Sequence, residues 1–584
     1  MQQDPKARER LDHIRHTLSH LLATAVLEKY PDAHIAIGPT IEHGFYYDID
    51  APNPIKPDDL PKLENRMREL IAAKLRVEKV RIGKFEDAGP AMANNRYKEE
   101  LYRELKQQKQ PATFYKIGSF VDLCRGGHVE NTGDINPTGF KLTKVAGAYW
   151  RGDSTKAMLQ RVYGVAFDTK EELDRYLALI AEAEKRDHRT IGHDLELFAF
   201  DAVAPGAPFW LPNGMTLIRE LERYWREIHD AAGYLETSTP ILSNASLYKT
   251  SGHWEHFREN MFTLVVDDQD FALKPMNCPS STIIYTHDLR SYRDLPLRYS
   301  EIGRLHRNEV RGTLGGLLRV RQITMDDAHI FCRPDQIEQE IRGVLRLVVQ
   351  FYSLFDLTPT FKLSTMPDQH LGEEKTWKQA EQTLEHVLKS EKLSYELNPK
   401  EGAFYGPKID IEVNDALQRT WQVATIQLDY QMPERFKLSY MDKDGHQQRP
   451  VMIHRAIFGS YERFIGILLE HLAGRLPTWL APVQVQLIPV GSDHVKPCDL
   501  LSEKLRSKGI RVSVDSANET VGYKIRKAEK MRIPYMLVIG DREAKSTKLQ
   551  VRIRGKKDVV AVVSSRFGSR IKREITQRAL TPKP

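Results

Sequence analysis

The sequence predicts a multidomain protein that combines α+β and α/β parts. Three observations predict it. The chain has 584 residues, enough for three or four domains, and 41% of them are hydrophobic, enough for sizeable cores. Leu297–Leu305 and Leu317–Thr324 read as two antiparallel strands joined by a loop carrying Gly312, Gly315 and Gly316, since apolar and polar residues alternate along the second run. After LPTWLAP, strands and helices alternate through VQVQLIPVG, RVSVD, IPYMLVIG and KLQVRIR, which predicts an α/β domain with a mainly parallel central sheet. The divisions expected are 1–168, a helical linker 169–194, 195–480 and 481–584.

Composition narrows the class of function. The net charge of +7 suits a polyanionic partner such as RNA without requiring one. The cysteines, Cys124, Cys278, Cys332 and Cys498, are too scattered for a disulfide framework and fit a reducing compartment. No apolar run is long enough to span a membrane, and MQQDPKARERLDHIRH has no signal-peptide core. A soluble, cytoplasmic protein is expected.

Taken in order, residues 12–30 read as a helix with Leu18, Leu21, Leu22, Ala25 and Val26 on one side, and with His16 and His20 sharing a face. FVDLCRGGH adds Cys124 and His128, again four apart. By ligand type and number these four side chains suit a tetrahedral zinc cage, and they equally suit separate structural roles. The segment TKEELDRYLALIAEAEKRDHRTIGHD reads as a charged helical linker, solvated apart from its leucines. An amphipathic helix, Met215–Ala232, leads through Gly233 to a strand ending at Pro240. KPMNCPSSTIIY places Cys278 where a loop opens into a helix; alone it reads as a buried free thiol.

The predicted hairpin carries Arg307 on one arm and Arg319 and Arg321 on the other, guanidinium groups that can grip phosphate with paired donors. Asp326, Asp327 and His329 follow, offering amine acceptors and a metal ligand. GAFYGPKIDIEV supplies Tyr405 and Lys408, with glycines that let backbone come close to a ligand. RTWQVATIQLDY presents Gln422, Thr425 and Gln427 on an alternating strand, and HRAIFGSYERFIGILLEHL is a strand end entering a helix that bears Arg463. The last domain holds Lys524, Arg526, Lys527, Lys545, Lys548, Arg552 and Arg554, which form either a solvated basic surface or one that meets RNA.

HRNE followed by RVRQITMDDAHIF resembles the second signature motif of class II aminoacyl-tRNA synthetases, in the form found in threonyl-tRNA synthetases. HTLSH, IAIGPTIEHGFYYDID, VDLCRGGH and KVAGAYWRGD resemble the editing domain of that family. The helix and strand up to Pro240 resemble the first class II motif, the stretch around Arg463 resembles the third, and the last domain resembles the anticodon-binding domain. The likeness covers nearly the whole chain. It implies a class II antiparallel-sheet catalytic core between an N-terminal α+β editing domain and a C-terminal α/β anticodon-binding domain. Many family members carry a small ubiquitin-like domain before the editing domain, and this sequence is expected to lack it.

The resemblance also implies an activity. ATP, with Mg2+, activates L-threonine to threonyl-adenylate, the threonyl group passes to tRNA(Thr), and mischarged seryl-tRNA is hydrolysed, the enzyme working as a homodimer. Arg307 would bind the α-phosphate and the threonine carboxylate, Glu309 the adenine amino group, and Arg319 and Arg463 the outer phosphates. Gln422 and Thr425 would complete the ATP site, with Lys408 catalytic, and Asp327, Tyr405 and Gln427 would bind threonine. One Zn2+ per chain would sit on Cys278, His329 and His454, ligands that spacing alone does not reveal. His16, His20, Asp122, Cys124 and His128 would line a metal-free editing pocket, and Asn518, Arg526, Glu543 and Arg552 would contact the anticodon. Two sites are needed: a hydroxyl-binding site rejects valine by on the order of 10⁴-fold, whereas serine lacks only a methyl, worth roughly 1–3 kcal/mol.

Two stretches depart from the family pattern: Ser280-Ser281 stands where Gly-His is common, and Val423-Ala424 where Cys-Gly is common. These leave room for a ligase acting on another hydroxylated amino acid. A non-catalytic RNA-binding regulator on the same fold would be expected to lose the phosphate arginines or a zinc ligand, and all of them are present.

Overall fold

The computed structural model describes residues 5–83, 85–89, 91–153 and 155–583, which divide into two compact units, Met1–Ala181 and Glu182–Pro584. In the first unit the predicted helix starts earlier than expected and spans Pro5–Lys29. Its apolar face, Leu18, Leu21, Leu22 and Val26, is fully buried against an antiparallel sheet in which Gly44–Asp50 pairs with Met158–Ala166 and that strand with Phe140–Tyr149. A smaller antiparallel sheet, Val77–Val80, Phe114–Ile117 and Phe120–Leu123, carries Asp122 and delivers the chain to Cys124.

The predicted linker is two helices. Lys170–Lys185 is charged and buries only Leu173, as expected. The second, α1 (His188–Asp194), buries His188, Ile191 and Gly192 in the larger unit, so the solvated reading fails beyond Lys185. Polar partners for its histidine, supplied by distant segments, make that burial possible.

In the larger unit, α2 (Pro212–Ala231) turns Leu217, Leu221, Tyr224, Trp225 and Ile228 inward. α3 (Cys278–Tyr285) begins at the cysteine itself. The central sheet has eight strands: β1 (Leu235–Glu236), β2 (Leu297–His306), β3 (Gln322–Cys332), β4 (Pro359–Ser364), β5 (Tyr395–Asn398), β6 (Lys408–Asn414), β7 (Thr420–Asp429) and β8 (Val451–Ser460). Their order is β1-β2-β3-β8-β7-β6-β4-β5. All pairs are antiparallel except the outermost two, β1–β2 and β4–β5. The hairpin is present, but β3 starts at Gln322 rather than Leu317. Gly316–Leu318 is a short 3-10 turn with Leu317 buried, so the alternation read there came from a turn folded into the core. α4 (Tyr461–His471) follows β8 directly.

Asp326 fixes the end of β8: buried, it accepts amides from Ile457 (3.1 Å), Phe458 (3.0 Å) and Gly459 (2.9 Å). Glu462 of α4 in turn accepts the amide of Thr324 on β3 at 2.8 Å.

The last module has five strands in the order Val512–Val514, Val485–Pro489, Tyr535–Ile539, Lys548–Ile553, Val560–Val563. Only the first three are parallel. The link from Ile539 to Lys548 is too short for a parallel crossover, so the chain turns back, and the mainly parallel expectation holds for one half. Two arginines fasten this module to its neighbour. Arg511 donates to the carbonyls of Ala481 (3.0 Å) and Trp479 (2.6 Å) and to Glu220 (2.7 Å). Arg554 donates to the carbonyls of Arg532 and Leu476, both at 2.6 Å. Arg554 thus leaves the predicted basic surface, as does Lys524, which is buried. Among the described residues no helix is long and apolar enough to cross a membrane.

Candidate active site

The centre of the larger unit joins residues that sequence keeps far apart. β3 and β8 run antiparallel in a register that sets His329 directly opposite His454. The N-terminus of α3 brings Cys278 to the same point. The three are buried, and their ligating atoms lie within 4.8 Å of one another. His454 shows how the set fits a metal. Its Nε2 bonds to Asp429 Oδ2 at 2.8 Å, while its Nδ1 is buried without a hydrogen-bond partner. A carboxylate on one ring nitrogen and a free lone pair on the other is the arrangement of a metal-ligating histidine.

A cavity of about 310 Å³ opens over this group, with Arg307 and Arg463 in its wall. Gln422, Thr425, Gln427, Tyr405 and Asp327 also face it. Tyr405 donates a short bond to Gln427, and Asn277 donates to Asp327 at 2.9 Å. Burial pushes the Asp327 carboxyl up to about 6, against the pull of Asn277 and Arg307. Gly406 packs so tightly that a Cβ would lie 2.0 Å from the Leu428 carbonyl oxygen. Burial and the charges of Arg307 and Arg319 lower the pKa of Arg463, Glu309 opposing them. Two guanidinium groups thus share the cavity wall, which suits a polyanion.

Three expected residues lie outside the cavity wall. Glu309 and Arg319 pair with each other at 2.9 Å on the loop between β2 and β3. Lys408, opposite Gln427 across the β6–β7 pair, is held by Asp410 at 2.8 Å.

The N-terminal cluster is equally compact, with the ligating atoms of His16, His20, Cys124 and His128 within 4.8 Å. Here Cys124 and Thr17 occupy the two ring nitrogens of His128, while His20 sets Nε2 3.6 Å from Asp122 and keeps a buried Nδ1 without a hydrogen-bond partner. Cys124 Sγ lies 3.2 Å from His128 Nε2, and Thr17 Oγ1 lies 3.2 Å from His128 Nδ1. Burial, together with Asp122, pushes the Cys124 thiol up to about 12, and burial beside His20 and His16 lowers His128 to about 2. Lys98 forms a buried ion pair with Asp122 at 2.5 Å and bonds Tyr47 at 3.0 Å. A second cation would be opposed by this lysine. In the last module Asn518, Arg526 and Arg552 are exposed, while Glu543 is half-buried and accepts the Gly540 amide at 3.2 Å.

Sequence reading missed Asp429, Asp410, Asn277, Lys98 and Tyr47. Only the first of these carried any signal: Asp429 ends the same alternating strand as Gln427.

Comparison with known proteins agrees with this geometry. Residues 262–472 match the tRNA synthetase class II core domain (G, H, P, S and T), 484–574 an anticodon binding domain, and 112–163 the threonyl and alanyl tRNA synthetase second additional domain. The threonine–tRNA ligase of Thermotoga petrophila is 48% identical over 582 residues, 99% of this chain and 90% of the relative. That of Acetivibrio thermocellus is 49% identical over 562 residues, 96% and 88% of the two chains. The crystal structure of the RNA binding domain of threonyl-tRNA synthetase from Cryptosporidium parvum is similar with a TM-score of 0.65 and 41% identity, over 68% of this chain and 99% of that one. A putative threonyl-tRNA synthetase of Aeropyrum pernix gives 0.58 and 27%, over 68% and 98%. With near-complete coverage by such relatives and a class II core around the Cys278 cluster, this chain belongs to the threonine–tRNA ligase family.

Proposed function

We propose that this chain activates L-threonine with ATP, transfers it to tRNA(Thr), and hydrolyses seryl-tRNA(Thr) in its N-terminal unit. The observation that carries this reading is the buried Cys278–His329–His454 group beneath a cavity walled by Arg307 and Arg463. Zinc would be held by those three residues and would supply a Lewis acid for the amino and hydroxyl groups of threonine. Asp327 accepts a hydrogen bond from the amine, oriented by Asn277. Arg307 donates to the threonine carboxylate and the α-phosphate. A carboxylate oxygen bonds to the α-phosphorus as the bond to the β-phosphate breaks. Arg319 and Arg463 stabilise the departing pyrophosphate, to which Mg2+ would add its charge, and Glu309, Gln422 and Thr425 position the nucleotide, so catalysis is mainly orientation and charge stabilisation. Lys408 keeps positive charge beside Gln427.

In the N-terminal unit, His16, His20, Asp122, Cys124 and His128 form the hydrolytic pocket without a metal. The protonated thiol and neutral histidines there support polar recognition of the ester over nucleophilic attack by Cys124. Asn518, Arg526, Glu543 and Arg552 read anticodon bases on their exposed edges. The apolar side chains of Leu235, Ile241 and Leu242, exposed on and just after β1, suit a homodimer contact. The cytoplasm, where tRNA and ATP are present, is the proposed location. The test is ATP–pyrophosphate exchange with a panel of amino acids: threonine must drive it and valine must not, and a preference for another hydroxylated amino acid would overturn the assignment.

A further inference from the structure

The ring of His188 is outside the cavity wall, yet both its nitrogens are engaged. The amide of Leu317 donates to Nε2 at 3.0 Å. An amide can only donate, so Nε2 is the acceptor, and Nδ1 carries the hydrogen that reaches Glu470 Oε1 at 2.6 Å. Glu470 is itself gripped by Arg419, which also bonds Asp415 at 2.7 Å. With both ring nitrogens occupied, the group Asp187, His188 and Glu470 is not a metal site. Gly316 closes the contact: its φ is +56°, and a Cβ there would stand 2.2 Å from His188 Nε2.

The turn so held, Gly316–Leu318, is the reference point for both outer-phosphate arginines. Arg463 Nε donates to the Leu318 carbonyl at 3.1 Å, and the Arg319 carbonyl accepts the Gly315 amide at 3.1 Å. Arg319 follows that turn directly. We propose that His188 is a positioning residue for amino-acid activation: its Nε2, kept an acceptor because Glu470 of α4 holds the hydrogen on Nδ1, pins the Gly316–Leu318 turn through the Leu317 amide, so that Arg319 and Arg463 face ATP in a fixed relation. This rests on the activation reading given above. α1 thereby reaches the nucleotide site without touching the nucleotide.

Two isosteres separate the ring's two bonds. Glutamine in His188→Gln keeps an acceptor at the ε position for Leu317, and asparagine in His188→Asn keeps only the δ donor for Glu470. In threonine-dependent pyrophosphate exchange, His188→Asn should raise KM for ATP about tenfold with KM for threonine within about twofold, while His188→Gln stays within about threefold on both. Amide hydrogen exchange at Leu317 should accelerate in His188→Asn and stay slow in His188→Gln. Equal KM for ATP in the two variants, or the reverse order, would overturn the proposal. If neither variant folds, Gly316→Ala displaces the ring from the loop side and must give the same ATP-specific loss; a parent-like KM for ATP there overturns it equally. A parent enzyme silent with threonine would instead defeat the activation reading, and Leu317 exchange would still test the His188 bond.

Discussion

Replacing Asp429 by asparagine should weaken zinc binding without touching a zinc ligand. Asp429 Oδ1 accepts amides from Gln431 (2.7 Å) and Met432 (2.9 Å), and Oδ2 takes His454 Nε2 at 2.8 Å. In the variant the amide oxygen stays with the two backbone donors, which leaves the NH2 group facing Nε2. His454 must then accept at Nε2 and move its hydrogen to Nδ1, the buried atom with no protein partner. That is the lone pair a metal would use. Losing such an orienting partner costs about 10–100-fold in metal affinity, which converts to about 1.4–2.8 kcal/mol. The assay is competition for zinc against a chromophoric chelator, with the metal-free parent and variant compared at equal folded fraction. Zinc affinity within about twofold of the parent would refute the reasoning, because the tautomer would then not matter.

Three other outcomes are expected. Arg307→Ala should cut pyrophosphate exchange by about 10²–10³-fold while leaving the circular dichroism spectrum intact, since it removes a donor to developing charge. Zinc analysis should find one ion per chain, lost in Cys278→Ala and kept in Cys124→Ala; two ions, or loss in Cys124→Ala alone, would make the N-terminal cluster the metal site. Pairing His20→Ala with Cys124→Ala should leave threonine charging near the parent rate but let preformed seryl-tRNA persist, as a deacylation time course would record.

Much of the catalytic core was legible because its signals are local. The β2–β3 hairpin, the helix opening at Cys278 and the strand bearing Gln422, Thr425 and Gln427 all show in short windows of sequence. The buried half of the linker was not, because His188 looks like one more polar residue until Glu470 and the Leu317 amide arrive from far along the chain. Leu317 misled for the related reason that a buried turn and a strand both place apolar residues at alternate positions. The Cys278–His329–His454 cluster proposed to hold zinc needed family likeness, since only the register of β3 on β8 aligns His329 with His454. Lys98 and Tyr47 escaped notice because a buried lysine is legible only beside its carboxylate, here Asp122 on a strand rather than on the lysine's own helix.

The fastening of the last module bears on how the molecule should respond to ionic strength. Three of the acceptors that Arg511 and Arg554 grip, those of Leu476, Trp479 and Ala481, are main-chain carbonyls from the segment that joins the modules. Dipoles at contact distance are little affected by a Debye length near 10 Å, whereas charges spread over a surface are screened by it. Contacts from exposed arginines to RNA phosphates would fade steeply as salt rises. Added salt should therefore detach RNA from this module well before it loosens the module from the catalytic core.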